Sequence, residues 1–201
     1  MDARQYAPAT QRNREPILEI LSKIIPERSN ILEIASGTGE HAVFLASRLQ
    51  SCRWIPSDLN SDALQSIISW KDARPVDNLE SPLLIDVTQS NWHSQVAERV
   101  NAIVNINMIH IAPWQACTGL IAGARQILPP GGILYLYGPY KRNGEHTAQS
   151  NASFDRSLRD RNSLWGVRDL EAVVATARTQ GFKLQQVINM PANNLSVIFS
   201  R

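Results

Sequence analysis

Apolar and polar positions fall along the chain in blocks of two kinds. Short apolar runs bounded by polar or turn residues occur at Ile31–Ile34, Arg53–Pro56, Leu83–Val87, Ala102–Ile106 and Ile133–Gly138. Runs of that length and bounding read as buried strands. Between them lie helical stretches. Glu40–Leu49 carries Val43, Ala46 and Leu49 on one face, Asp62–Trp70 is helical, and a short helix is expected near Trp92–Glu98. Trp114–Leu128 ends against Pro129-Pro130-Gly131-Gly132, which cannot continue a helix. Strands alternating with helices predict parallel βαβ units, right-handed crossovers and an open sheet covered on both faces.

Two features frame this core. Arg12–Ile25 reads as a leading helix, and Arg168–Thr179 as a closing one, followed by strands at Lys183–Met190 and Leu195–Phe199. The intervening Pro191-Ala192-Asn193-Asn194 is too short for a helical crossover, which predicts an antiparallel hairpin. Asn143–Arg161 reads as a polar insertion before the closing helix.

The segment with the most chemistry is Ile31-Leu32-Glu33-Ile34-Ala35-Ser36-Gly37-Thr38-Gly39-Glu40-His41, a strand running into a glycine-bearing loop that opens a helix. Glycines there let the backbone turn sharply and approach a ligand closely. Gly37, Gly39 and Ala42 satisfy G-x-G-x-x-[GA], a dinucleotide fingerprint. Asp58, after the second strand, is placed to bind ribose hydroxyls. NAD and S-adenosylmethionine both carry such a ribose, so Asp58 does not separate them. Three other features favour S-adenosylmethionine. Glu33 suits a cationic cofactor with an amino-acid tail and would repel a pyrophosphate. Asp86, ending the third strand, can accept from an adenine amino group. The terminal hairpin suits a methyltransferase sheet better than a nucleotide half-domain. A dehydrogenase is also expected to carry a second substrate domain, for which 201 residues leave no room.

On these residues the chain resembles the class I (Rossmann-like) methyltransferases over nearly its whole length. Four segments sharpen the resemblance: Arg12-Asn13-Arg14-Glu15-Pro16-Ile17-Leu18, Trp54-Ile55-Pro56-Ser57-Asp58, Asn107-Met108-Ile109-His110-Ile111-Ala112-Pro113-Trp114 and Ser150-Asn151-Ala152-Ser153-Phe154-Asp155. They are similar to a family of small methyltransferase-like proteins long classed as a domain of unknown function. The resemblance implies a three-layer α/β fold with a seven-stranded, mostly parallel sheet of order 3-2-1-4-5-7-6, the last strand antiparallel, and S-adenosylmethionine at strands 1 to 4. It implies no settled substrate. Ala35 departs from the general motif, which often has glycine there. The expected organisation is one domain: an N-terminal lid or helix over 1–28, a cofactor-binding core over 29–140, a substrate-side insertion over 141–166, and a terminal helix and hairpin over 167–201.

The expected cofactor contacts are Glu33, Ala35, Ser36, Gly37, Thr38, Gly39, Asp58, Leu59, Asp86, Val87, Asn105 and Ile106. Three polar members have a bland alternative. Glu33 could cap loop amides, Asp58 could cap the next helix, and Asp86 could be a turn aspartate. Asn107 and His110, beyond the fourth strand, are the candidates for touching the acceptor. A histidine there could take a proton as the methyl moves, or could simply order the loop before Pro113-Trp114. Tyr6, Arg12, Asn13, Tyr140 and Asn151 are candidates for the acceptor pocket or its lid. Phe154, Arg156, Arg159 and Arg161 belong to the same insertion, with a solvated helix face as the alternative for the arginines.

Bulk properties narrow the function classes. Hydrophobic residues make up 43% and charged residues 19%, a globular profile that one core can stabilise. Basic and acidic residues number 20 and 18, too balanced to argue for nucleic acid. Cys52 and Cys117 lie outside any CxxC pattern, so no metal site or disulfide framework is expected. The polar N-terminus lacks the apolar stretch of a secretory signal, and no run approaches the ~18 apolar residues of a membrane span. A cytoplasmic location is the default expectation. The leading function is methyl transfer from S-adenosylmethionine to an unidentified, small-molecule acceptor. An alternative is a non-catalytic cofactor-binding module acting through a partner protein. It is motivated by Asn105-Ile106-Asn107-Met108, which lacks the Asn-Pro-Pro-Tyr-type sequence of adenine or glutamine amino-group methylation. A nicotinamide oxidoreductase rests only on the glycine pattern.

Overall fold

The computed structural model describes residues 2–201; Met1, where the expected N-terminal segment begins, lies outside them. The chain runs α1 (Pro8–Ile24), β1 (Asn30–Ile34), α2 (Glu40–Arg48), β2 (Arg53–Asp58), α3 (Ser61–Ala73), β3 (Leu83–Leu84), β4 (Ala102–Ile106), α4 (Trp114–Ile127), β5 (Ile133–Arg142), β6 (Glu145–His146), α5 (Gln149–Arg161), β7 (Arg168–Asp169), α6 (Leu170–Thr179), β8 (Lys183–Met190) and β9 (Asn194–Ser200). The sheet order is β3-β2-β1-β4-β5-β9-β8, with β6 and β7 joined only to β5. With those two short strands set aside, the order is the expected 3-2-1-4-5-7-6. Strand β9 is antiparallel to both its neighbours, while β1 to β5 are parallel along the main path.

The central strands β1, β4 and the first half of β5 are largely apolar because both faces are covered. Leu32, Ile34, Ile103, Leu134 and Leu136 pack with Leu120, Ile121 and Val173 of α4 and α6. The alternate positions Ile31, Val104, Tyr135 and Tyr137 pack with Ile17, Val43 and Trp70 of α1, α2 and α3. The pairs Ile34–Ser57, Ile34–Asn105 and Ile106–Tyr137 align the carboxyl ends of β1, β2, β4 and β5. That edge, at the reversal of strand order between β1 and β4, is where such sheets bind ligands.

Several segments differ from the sequence expectation: the leading helix begins at Pro8 rather than Arg12, the short helix near Trp92–Glu98 is a single 3-10 turn over Trp92–Gln95, and β5 runs on to Arg142. The third strand spans only Leu83–Leu84, because Asp86 accepts from the Thr88 N–H (2.9 Å) and hydroxyl (2.7 Å) and turns the chain. The insertion contains a full helix, α5. Its buried stripe is Asn151, Asp155 and Leu158, so two of its three inward positions are polar and no apolar period is visible. The closing helix begins at Leu170, with Asp169 accepting from the Glu171 and Ala172 N–H groups as its N-cap. Among the described residues no helix is long and apolar enough to cross a membrane, and no cluster of three metal-binding side chains occurs.

Helix α4 explains why glycines sit inside it. A Cβ at Gly123 would lie 2.2 Å from the Trp92 indole, and one at Gly119 would lie 2.0 Å from the Val87 carbonyl oxygen. Trp92 Nε1 donates to the Gly119 carbonyl at 2.9 Å. The helix gives up about 1 kcal/mol per glycine and in return seats a buried tryptophan. Gly123→Ala should therefore destabilise by about 2 kcal/mol or more despite alanine's better helix propensity, lowering Tm by several degrees in thermal unfolding.

Candidate functional site

The glycine turn departs from β1 through left-handed backbone at Ala35 (φ 58°), Gly37 (φ 57°) and Gly39 (φ 86°). It is held from β2. Ser36 N–H donates to the Ser57 carbonyl at 2.8 Å, and Gly37 N–H donates to Asp58 Oδ2 at 2.9 Å. Asp58 Oδ1 accepts from Asn60 N–H at 3.0 Å. Gly39 is needed for packing, since a Cβ there would lie 2.9 Å from Ile67 Cα. At Gly37 a Cβ would meet nothing within 4 Å, so this glycine faces open space at the mouth of the turn.

Glu33 lies beneath the turn, 1% exposed. Its Oε2 accepts from Trp54 Nε1 and Ser36 Oγ, both at 3.0 Å. Burial pushes its pKa up to about 7, against the pull of the Trp54 and Ser36 hydrogen bonds. Its contacts are structural, but with an indole and a hydroxyl rather than the loop amides expected as the alternative. Thr38 donates to Glu40 Oε2 at 3.2 Å. Leu59 is 62% exposed, Val87 and Ile106 are buried, and Asp86 is spent on Thr88 and Gln89. Partial burial would raise the Asp86 pKa, but those hydrogen bonds hold it below the usual carboxylate value. Asn105 is buried at the end of β4. Its Nδ2 donates to the Ile34 carbonyl at 2.9 Å, while its Oδ1 has no partner.

Beside this edge lies a cavity of ≈ 880 Å³. Its walls come from five places in the chain: Arg12 and Asn13 of α1, Asn107 after β4, Tyr137 and Pro139 of β5, the Ser150–Arg161 face of α5, and the Pro191–Asn194 turn. Of the expected acceptor-side residues, the cavity brings together Arg12, Asn13, Asn107 and Asn151. Asn13 Oδ1 lies 2.8 Å from His41 Nε2, joining the cavity wall to the helix opened by the glycine turn. Burial, reinforced by nearby Arg14, lowers the His41 pKa to about 4, so this imidazole is neutral and donates. Asn107 adopts φ 66° and donates its N–H to the Tyr137 carbonyl at 2.8 Å. Asn151 Nδ2 donates to the Asn193 carbonyl at 3.0 Å, tying α5 to the β8–β9 turn. Asn193 and Asn194 were not foreseen as wall residues; the only sequence signal was a doubled asparagine in a tight turn.

Three expected site residues lie elsewhere. His110 is 0% exposed and its two ring nitrogens have no partner. It packs edge-on against Tyr140, ring centroids 5.1 Å apart, in a space left by Gly138, where a Cβ would lie 2.3 Å from its Nε2. Burial, with Arg168 nearby, drops its pKa to about 3. An imidazole enclosed away from the cavity and with so low a proton affinity cannot serve as the acceptor's base, and the catalytic reading of His110 is withdrawn. Tyr140 shares that interior, with its hydroxyl unpartnered and its pKa raised well above 10 by burial. Tyr6 packs edge-on against Trp70 of α3 at 5.1 Å. The strand of chain around it is pinned there, Gln5 N–H donating to Ser66 Oγ at 2.8 Å and Trp70 Nε1 to the Gln5 carbonyl at 3.0 Å. It flanks α3 rather than the cavity.

Two consequences can be measured. The native fold prefers Glu33 protonated, since its pKa is raised from 4.5 to about 7. That preference stabilises fully below the ordinary value and is lost as pH rises through about 7. Glu33→Gln keeps an acceptor for Trp54 and Ser36, so the wild type should lose on the order of 2–3 kcal/mol relative to this variant between pH 4.5 and 7.5, read from unfolding curves across pH. Parallel curves for the two proteins would refute the shift. Ala35→Gly should relieve left-handed strain and raise stability by about 0.5–1 kcal/mol, a gain of a few degrees in Tm. A fall instead would mean that the Ala35 methyl contributes more by packing than its backbone costs.

Comparison with solved structures places the fold among the class I methyltransferases. An O-methyltransferase family protein from Burkholderia thailandensis superposes with TM-score 0.81 at 14% identity, over 96% of this chain and 57% of its own. An O-methyltransferase family 2 protein from Planctomyces limnophilus, solved with apigenin, gives 0.78 at 16% identity, over 96% and 60%. Human N-acetylserotonin methyltransferase in complex with SAM gives 0.76 at 12% identity, over 96% and 52%. The chain therefore spans little more than half the length of these proteins. At such identities the likeness is one of fold. The family model described as "Protein of unknown function (DUF938)" matches residues 4–201, and the chain belongs to that family.

Proposed function

We propose that the protein binds S-adenosylmethionine at the carboxyl edge of β1, β2 and β4 and transfers its methyl group to a small molecule held in the adjoining cavity. The observation that carries this reading is the open turn at Gly37, held by Asp58, at the same sheet edge as the ≈ 880 Å³ cavity, whose wall residue Asn13 lies 2.8 Å from His41 of the helix that the turn opens. The unpartnered Oδ1 of buried Asn105 is a further group that a ligand's N–H or O–H would satisfy. The fold likeness to methyltransferases, one of them carrying SAM, supports the same reading.

When bound, the cofactor supplies an electrophilic methyl carbon on a sulfonium. The chain's own groups then divide the remaining work. Gly37 leaves room for close approach of the ligand to backbone. Asp58 retains lone pairs for ribose hydroxyls while holding the turn. The α1, β5 and α5 walls orient the acceptor and exclude water, and positioning of this kind can supply much of the rate for an already activated methyl donor. The reading of a cofactor-binding module without catalysis draws on the withdrawal of His110 from the wall, but methyl transfer does not require a strong base.

Titration calorimetry with S-adenosylmethionine and S-adenosylhomocysteine tests the proposal. Both should bind, and Asp58→Ala should weaken S-adenosylmethionine tenfold or more, about 1.4 kcal/mol. At 100 times Kd the cofactor should stabilise the protein by about 2.7 kcal/mol in thermal unfolding, whereas NAD and NADP should not. Unchanged affinity in a folded Asp58→Ala protein would remove Asp58 from the site, and no binding at all would end the methyltransferase reading.

A further inference from the structure

The cavity wall has an uneven charge composition. Two guanidinium groups line it, on Arg12 of α1 and Arg161 at the end of α5, and no aspartate or glutamate does. Among the described residues neither arginine takes part in an ion pair, unlike Arg4, Arg53 and Arg159. Arg161 makes only local contacts, donating to the Ser157 carbonyl at 3.2 Å and lying over the Trp165 ring at 5.8 Å. The other polar lining groups are the amides of five asparagines, the Ser150 hydroxyl and the Tyr137 phenol. Uncompensated cations among neutral hydrogen-bonding groups favour an anion, and the guanidinium fork matches the paired oxygens of a carboxylate or a phosphate.

A second observation concerns protons. No histidine, cysteine, lysine or carboxylate lines the cavity. Tyr137 is the one neutral titratable group in the lining, and burial raises its pKa above 10, against hydrogen bonds from Asn13 and Asn194. His110 is enclosed behind Gly138. An acceptor that must first lose a proton, such as an alcohol or an ammonium group, finds no base in this wall. A carboxylate needs none, because at neutral pH its oxygen already carries the lone pair that attacks. A third observation is apolar. Ile111 and Phe154, both in the lining, are 45% and 39% exposed, uncovered surface that suits the hydrocarbon part of an organic acid.

We propose that the acceptor is a small organic carboxylate, held between Arg12 and Arg161 with its apolar body on Ile111 and Phe154, and methylated on the carboxylate oxygen. This rests on the S-adenosylmethionine reading above. The oxygen lone pair forms the new O–C bond to the methyl carbon as the C–S bond breaks. The electron pair of that bond stays on sulfur. An anion and a sulfonium become a neutral methyl ester and a neutral thioether, and no proton is released or taken up.

The experiment has two arms. In the first, calorimetry establishes whether S-adenosylmethionine binds to the wild type and to Arg12→Gln and Arg161→Gln. In the second, methyl-labelled S-adenosylmethionine is offered with benzoate, phenylacetate and octanoate, and separately with phenol, phenylethylamine and thiophenol. The expected result is label in an alkali-labile ester that yields volatile methanol, from carboxylates only and without proton release in weakly buffered solution. Each arginine variant should raise KM for the carboxylate tenfold or more while cofactor affinity stays unchanged, with Arg12→Lys and Arg161→Lys intermediate. Cofactor binding without ester formation from any of the carboxylates, label on the phenol, amine or thiol instead, or unaltered KM in both glutamine variants would overturn the proposal and leave methyl transfer standing. No cofactor binding would remove both.

Discussion

The two hydrogen bonds accepted by Asp58 hold the site together. One oxygen takes the Gly37 N–H and the other the Asn60 N–H, so a single buried carboxylate fixes the glycine turn after β1 and the entry to α3 after β2. Charge-assisted bonds to backbone amides are among the stronger hydrogen bonds in proteins. Here they act on a turn whose backbone is left-handed at Ala35, Gly37 and Gly39, a conformation that needs external support for Ala35. Beneath it, Glu33 connects Ser36 of the turn to Trp54 of β2. The turn is thus anchored at several points to the neighbouring strand, and the sheet's parallel register is transmitted to it.

The acceptor side is built differently. Its walls come from segments far apart in sequence, joined by polar side chains rather than by the sheet ladder. Asn13 reaches His41, and Asn151 reaches the β8–β9 turn. Asp155 organises the base of α5. It accepts from the Val167 N–H at 2.7 Å and Arg159 Nε at 3.1 Å, with Lys141 at 3.6 Å and His146 at 3.3 Å. Burial would raise its pKa, but the Val167 amide, Arg159 and Lys141 hold it below the usual carboxylate value. A buried charge so fully partnered is tolerated, and it fixes orientation more than it adds stability. With Arg159 engaged on Asp155, Arg161 is left to face the cavity.

The sequence by itself determined the parallel core, because strands covered on both faces must be apolar and their crossovers must be helical. Thus Ala102–Ile106, buried at every position, is a strand as expected, and the glycine turn with Asp58 was legible from residue type and spacing. The resemblance supplied the strand order. What tertiary structure alone decided is which polar residues face inward. Helix α5 was invisible because Asn151 and Asp155 occupy its buried stripe, and burial by hydrogen bonding leaves no hydrophobic period. His110 looked available to a substrate because it follows β4 in a loop, yet Gly138 on β5 opens an interior space that takes its ring. Charge and hydropathy patterns report the average environment of a residue type. Whether one asparagine, arginine or histidine meets a cavity, a carbonyl or a neighbouring ring depends on contacts between segments distant in the chain, and those exist only once the sheet has formed.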